Sequence, residues 1–441
     1  MSRTFSSLSF YNYRMWFIGA LIANIGTWMQ RIAQDWLVLT ELTDNSGFAV
    51  GIVTALQFIP TIFLTPVAGV LTDRFNRRKI LIATQSALGV LAASLGAMVL
   101  TGVAQLWHVY VFAFLLGVVS ALDAPARQVF VSELVPANQL ANAVGLNSAS
   151  FNAARLVGPG IAGLGIAAVG TGWIFIINAL SFVATIAAMW AMRVADLRTP
   201  APSKRSKGQL REGVAYVRHR TDIIVIMVTV FVVSALGMNF QLTSAVMARE
   251  VFGRGAGEYG LLGSVMAIGS LAGALAAARR NRPRVRLVLG AAFGFGVSSG
   301  LMAIMPSFWT FSAMSILVGF FTLTMITAAN TTIQLGTDPT VRGRVMSLYL
   351  MVFFGSNPVG APVVGWIAEN WGARWSIGVG AIASILISVV AILWVKRHWQ
   401  VEVTYSLRSK PHVILTHPEE RAAREQAQLE VAAQQSTNRA A

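Results

Sequence analysis

GVLTDRFNRRK, Gly69 to Lys79, closes one long apolar run and opens the next. Arg74, Arg77, Arg78, Lys79 and Asp73 crowd into this stretch, in a chain of which charged residues make up only 12%. A soluble domain carries about 25%. A short basic hairpin between two membrane-length segments reads as a loop held at one face of a bilayer. The rest of the chain can be laid out from it.

A helical span needs roughly 20 mostly apolar residues. Twelve such stretches are read, near 14–39, 48–71, 80–101, 107–127, 140–169, 172–193, 222–247, 258–279, 285–304, 308–334, 345–368 and 374–395. Exposed non-helical backbone is not tolerated in lipid, so each is expected to be a helix. Barrel strands would be shorter and would alternate apolar with polar residues. The expected fold is an all-α integral membrane protein of twelve helices in two six-helix pseudo-repeats. It comprises a first bundle over 1–193, a linker over 194–221, a second bundle over 222–396 and a polar tail over 397–441. The linker ends in QLREGVAYVRHR, which reads as an amphipathic surface helix, and 419–435 reads as either a short helix or a mobile tail.

Lys and Arg are distributed very unevenly. With the N-terminus inside, 29 of the 34 fall at the inner face or in the tail, and only Arg249, Arg254 and Arg374 fall outside. The positive-inside rule then puts both termini in the cytoplasm of a bacterial cell membrane. The net charge of +16 is accounted for by these loops, so nucleic-acid binding is not expected. The chain has no cysteine, which excludes disulfides and thiolate chemistry. The first apolar segment is long and contains Arg31 and Asp35, so it reads as a retained span and not a cleaved signal.

A weak internal repeat is present. A shift of 203 lays Pro136 on Pro339 and Pro159 on Pro362; a shift of 204 lays Gly69 on Gly273 and Asp35 on Asn239. Parallel repeats of this kind build two transporter halves around a midplane site.

GVLTDRFNRRK resembles the loop motif G-x-x-x-D-R-x-G-R-R-K of the major facilitator superfamily. The resemblance implies a cytoplasmic gate, with Gly69 allowing close packing, Asp73 capping the next helix, and Arg74, Arg77 and Arg78 bridging to neighbours. Asn76 stands where the family usually has Gly; a left-handed turn at Asn76 would preserve the geometry. Near 273–282 the pattern is degenerate, with Ala277 aligned to Asp73. NIGTWMQRIAQDWLVL (24–39), DAPARQVFVSELVP (123–136) and FNAARLVGPG (151–160) are similar to a bacterial branch of siderophore and drug exporters, that of the enterobactin exporter. RLVGPGIAG, Arg155 to Gly163, resembles the Gly-Pro signature of exporters in this superfamily. The superfamily's usual arginine in the fourth span is missing from LLGVVSALD (115–123), so its proton scheme cannot be copied here.

The intramembrane charges are read on their own terms, because burying one is costly. Asn24, Trp28, Arg31 and Asp35 are spaced to share one helix face, and Ser148, Asn152, Arg155 and Pro159 repeat that spacing on the fifth span. Asp35 is the expected proton carrier, with Arg31 and Arg155 tuning it or binding an anionic substrate. The competing reading is a fixed ion pair of Asp35 with Arg31 or Arg155. Asp123 and Arg127 either join Asp73 in the inner gate or cap a helix end. Asn239, Thr327 and Thr331 are cavity-lining candidates in the second half. Gly158, Pro159, Gly163, Pro358 and Pro362 are expected to bend or closely pack their helices.

GPGIAG matches a dinucleotide fingerprint only as a string, since an apolar helix surrounds it and no strand precedes it. The chain has no phosphate-binding loop, and its five histidines are scattered in loops and the tail. No cofactor, metal or enzymatic activity is expected. The expected function is proton-coupled export of a small amphipathic molecule, a siderophore or drug, by a monomer in contact with membrane lipid. Alternatives are an importer or symporter of the same fold, or a transport-inactive sensor.

Overall fold

The structure, a computed structural model, describes residues 3–198, 209–278, 285–398, 402–405 and 413–416; the side chains of residues 3–4, 65–67, 69–70, 73, 209–211, 278, 398, 402–405 and 413–416 fall outside the description. The long helices are α1 (Tyr11–Leu37), α2 (Gly47–Arg74), α3 (Arg77–Leu100), α4 (Leu106–Leu134), α5 (Leu140–Val169) and α6 (Thr171–Trp190). The short α7 (Gln209–Arg218) follows, then α8 (Thr221–Leu236), α9 (Phe240–Val246), α10 (Ala256–Ala278), α11 (Val285–Ala303), α12 (Phe308–Gly336), α13 (Arg342–Trp371) and α14 (Ala373–His398). With α8 and α9 as one interrupted span, all twelve expected spans are present. Eleven are long and apolar enough to cross a membrane among the described residues. The first, α1, has the length at 27 residues but carries Arg14, Arg31 and Asp35.

The helix boundaries follow local chemistry. The Ser46 side chain accepts from the Ala49 amide and starts α2. Asn76 starts α3 by accepting from the Lys79 amide at 3.1 Å, with φ −62° and ψ 115°. This corrects the left-handed turn expected at Asn76: the residue works as an extended N-cap, a role for which Asn is among the best residues. The tight turns α5–α6 and α13–α14 each use a glycine in the left-handed region, Gly170 at φ 84° and Gly372 at φ 96°.

Those two turns are 202 positions apart. The π-helical turns that end α1 (Val38–Leu42) and α9 (Met247–Val251) are 209 apart. The offset falls across the third helix of each half, because α3 has 24 residues and α11 has 19. A single shift of 204 therefore fails for the first helices. At 209, Asp35 stands opposite Ser244, not Asn239. Asn239 instead lies at the interruption between α8 and α9, where its side chain donates to the Ala235 carbonyl.

Residues 1–385 form one compact unit. Within it α1 packs on α5 and α6, α2 on α4, and α3 on α4 and α6. In the second half α10 packs on α12, α11 on α12, and α8 on α13. The halves meet where α2 packs on α13 and α5 on α10. A core at the basic end joins Tyr13, Trp16, Leu81, Phe130 and Met189. As expected, α7 is amphipathic and lies on the start of α13, with Arg344 paired to Glu212. Nearby, Thr340 holds the exposed Asp338 carboxyl below its usual range through backbone and side-chain hydrogen bonds. That support for the α12–α13 turn is therefore present at neutral pH and lost as pH falls through the lowered value.

Residues 386–441 form a second unit. It holds the end of α14 and an antiparallel pair, β1 (Glu402–Tyr405) with β2 (Val413–Thr416), in which Glu402 faces Thr416. This pair departs from the all-helical expectation in the tail. The segment 419–435, read as a short helix or mobile tail, lies outside the described residues.

Candidate functional site

The polar face of α1 meets α5 at Trp28. The Arg31 guanidinium carbon lies 5.2 Å from the Trp28 ring centroid and that of Arg155 lies 5.9 Å from it. Phe151 packs edge-on to the same indole at 5.9 Å. Gly158 makes this approach possible: a methyl there would sit 2.6 Å from the Trp28 Cβ. The polar faces of α1 and α5 thus meet at this indole.

Asp35 has a different partner from those expected. It is buried, and its carboxylate accepts from the Tyr259 hydroxyl of α10 at 3.3 Å. Trp36 stacks on the Tyr259 ring at 5.7 Å with 21° between the planes. Among the described residues no salt bridge joins Asp35 to Arg31 or Arg155. The Arg31 and Asp35 charges act on each other without closing a salt bridge, and the hydrogen bond that Asp35 accepts ties the acid of the first half to the second. Tyr259 escaped the sequence reading because it stands at the start of a span, in GEYGLLG, where a Tyr beside the charged Glu258 reads as an interface anchor.

The end of the molecule opposite the basic loops is closed by backbone contact. A methyl on Gly260 would collide with the Pro159 carbonyl oxygen, and one on Gly51 with the Ala361 carbonyl oxygen. Gly163 meets the Ala256 carbonyl and Gly365 the Gly47 carbonyl in the same way. Small residues allow helices to approach this closely. The Ser46 hydroxyl adds a hydrogen bond to Glu369 at 2.8 Å, joining α2 to α13. Pro159, Pro358 and Pro362 all lie inside continuous helices.

At the basic end the expected gate residues divide. Gly69 and Asp73 lie in α2 with their side chains outside the description, and Arg74 is exposed. Asn76 stands at the N-cap of α3 and accepts from the Lys79 amide. Arg77 pairs with Glu133 at 2.5 Å, and Arg78 donates to the Met189 carbonyl at 2.9 Å. Asp123 accepts from Thr84 at 2.7 Å, Gln85 at 2.8 Å and Arg127 at 2.8 Å. Arg127 also reaches Asn24 at 3.4 Å and lies over the Trp16 ring. These contacts join α1, α3, α4 and α6 inside one half. Helix-end capping by Asp123 and Arg127 is excluded, because α4 continues to Leu134. Asn24 belongs to this network and not to the Trp28 group.

The remaining cavity candidates bond locally. Asn152 donates to the Ser148 carbonyl, and Thr327 to the Leu323 and Thr324 carbonyls. Thr331 is half-buried on α12. Gln34 has both side-chain polar atoms sealed without a partner, beside Gln30, which accepts from Asn178. Neither glutamine was singled out in the sequence. A separate cavity of about 400 Å³ lies between α3 and α6, lined by Gly89, Val90, Ala93, Ile176 and neighbours. It holds none of the charged residues described above. No group of metal-ligating side chains occurs among the described residues.

A family model described as transmembrane secretion effector matches residues 2–422. A staphyloferrin A transporter of Staphylococcus aureus is 23% identical over 384 residues, covering 86% of this chain and 94% of the relative. The multidrug efflux pump Tap of Mycolicibacterium fortuitum is 27% identical over 390 residues, covering 85% and 93%. Among solved structures, a bacterial homologue of the lysosomal transporter Spinster, inward-facing and unoccupied, superposes with a TM-score of 0.64 at 14% identity, covering 89% of this chain and 96% of that one. At that identity the likeness concerns the fold alone.

Proposed function

Because the chain belongs to the transmembrane secretion effector family of major facilitator transporters, we propose that it exports a small amphipathic molecule, siderophore or drug, in exchange for protons. It is a multi-pass membrane transporter and not an enzyme, and its relatives include a siderophore transporter and multidrug efflux pumps. The finer reading rests on one observation: Asp35 of the first half bonds Tyr259 of the second, without a salt bridge.

An ionised carboxylate accepts a hydrogen bond more strongly than a neutral acid. Deprotonated Asp35 therefore holds the empty transporter closed at this end and blocks futile return. The opening that carries substrate out breaks this bond and exposes Asp35 to the outside; there the carboxylate takes up a proton, which it releases to the cytoplasm once the end has closed and the bond to Tyr259 has re-formed. The Lys/Arg asymmetry puts the closed end outside and both termini in the cytoplasm of the bacterial inner membrane. The state described is then inward-facing, with the substrate path open to the cytoplasm. Two bundles, 1–193 and 222–396, rock about the linker, and the basic loop with Asp73 and its arginines closes the inner mouth in the opposite state.

The test is uptake into everted vesicles of a catecholate siderophore and of a lipophilic cationic dye. Wild type is compared with Asp35→Asn, with and without a protonophore. Uptake lost with both the variant and the protonophore supports proton exchange through Asp35. Protonophore-sensitive uptake that survives Asp35→Asn moves the proton site elsewhere.

A further inference from the structure

The arginines inside the first half are treated unequally by their neighbours. Arg77 pairs with Glu133, Arg127 with Asp123, and Arg78 with the Met189 carbonyl. Arg31 and Arg155 are not in this group. Among the described residues neither guanidinium takes part in a salt bridge, and Asp35, one turn along α1 from Arg31, is engaged by Tyr259. Both arginines are half-buried, and no nitrogen of either is among the sealed, unbonded polar atoms of the described residues. Both lie where α1 packs on α5, between the two helices that carry them.

Two cations are thus held to one indole within the membrane-spanning region, their donors unspent. Charges in such a place are expensive unless paired. Mutual repulsion adds to the cost, and the shared Trp28 ring offsets only part of it through cation–π attraction. Asp35 acts on Arg31 by charge alone, without a salt bridge, and Arg155 has no such partner; what the arrangement lacks is an acceptor of opposite charge in hydrogen-bond contact with the two guanidinium groups. Guanidinium is the group best matched to a planar oxyanion, which it binds through two parallel hydrogen bonds.

We infer that Arg31 and Arg155, positioned by Trp28 and the Gly158 gap, form the binding site for an anionic oxygen group on the transported molecule, of the carboxylate or phenolate class. This rests on the exporter reading and narrows its substrate. A lipophilic cation would meet two like charges here, so the site selects against it. The neighbouring Phe151 ring suits an aromatic body behind the anionic group.

The probe is 2,3-dihydroxybenzoate, measured by equilibrium dialysis against the full-length protein in lipid nanodiscs. Its uncharged amide and the cation ethidium serve as comparisons. Wild type is expected to bind the acid at least tenfold more tightly than the amide. Arg31→Gln and Arg155→Gln should each weaken the acid about tenfold, about 1.4 kcal/mol, without weakening ethidium. Arg155→Lys should retain part of the affinity, since it keeps the charge but loses the planar fork. If a glutamine variant fails to fold, the wild-type preference for acid over amide still decides. Equal affinity for acid and amide, no binding of the acid, or unchanged affinity in both folded glutamine variants overturns the site. Proton-driven uptake of a cation by a protein that does not bind the acid would sink this inference and leave the exporter intact. Binding of the acid without transport of anything would do the reverse.

Discussion

At the scale of single residues, Asp35 and Tyr259 carry the coupling. A hydrogen bond to a charged group is worth about 1.5–3 kcal/mol, and bonds between membrane helices tend to be weaker. Tyr259→Phe keeps the ring and its stack on Trp36 but removes the donor. It should lower the closed-to-open ratio roughly five- to thirtyfold. A spin-label or fluorescence distance across α2 and α13 would read this shift; an unchanged distance distribution would mean that the bond holds nothing closed. Asp35→Asn should separate binding from coupling. It removes a negative charge one turn from Arg31, so the anionic probe should bind at least as tightly as in wild type, while proton-driven uptake is lost. Weaker anion binding in this variant would show that Asp35 touches the ligand.

At the scale of elements, the spans could be read from the sequence because apolar length is a local property. Their contacts could not, because contact depends on which faces meet. Asn76 shows where local reading goes wrong. The family motif suggested a residue with a glycine's freedom, but the helix that begins at Arg77 needed an acceptor for the Lys79 amide. Asn supplies one without adopting positive φ. Asn76→Ala should cost about 1 kcal/mol, seen as a lower unfolding midpoint in detergent, while Asn76→Asp should be close to neutral. If Asn76→Gly stabilised the protein, the left-handed turn would be restored as the correct reading. Gly260 makes the opposite point. In sequence it is one of 39 glycines, yet α10 can approach α5 only because a Cβ at this position is absent. Gly260→Val should force the helices apart, leave the fold intact and abolish transport by emptying the closed state. Normal transport would show that this close approach is dispensable.

At the scale of the whole molecule, the two halves could be anticipated from repeated prolines and loop charge, but their state could not. A sequence is the same in every state of a moving protein. What identifies the state is where the halves touch, and the backbone contacts of Gly47, Gly51, Gly163 and Gly260 all lie at the end away from the basic loops. The absence of cysteine allows a clean test of whether this end must open. Ser46 and Glu369 are hydrogen-bonded across the halves at 2.8 Å, and both lie at helix ends. In a chain carrying Ser46→Cys and Glu369→Cys, a short thiol-specific cross-linker can react only there. Ser46→Cys also weakens the cap on the Ala49 amide and Glu369→Cys also loses the Phe48 amide, but these bonds lie at helix ends, and each single variant should transport at close to the wild-type rate. The cross-linked double variant should bind substrate from the basic side but lose at least nine-tenths of its transport, and a cleavable linker should restore it on reduction. Two halves that rock must separate at this end once per cycle, so full transport by the cross-linked protein would mean that the substrate leaves by another route.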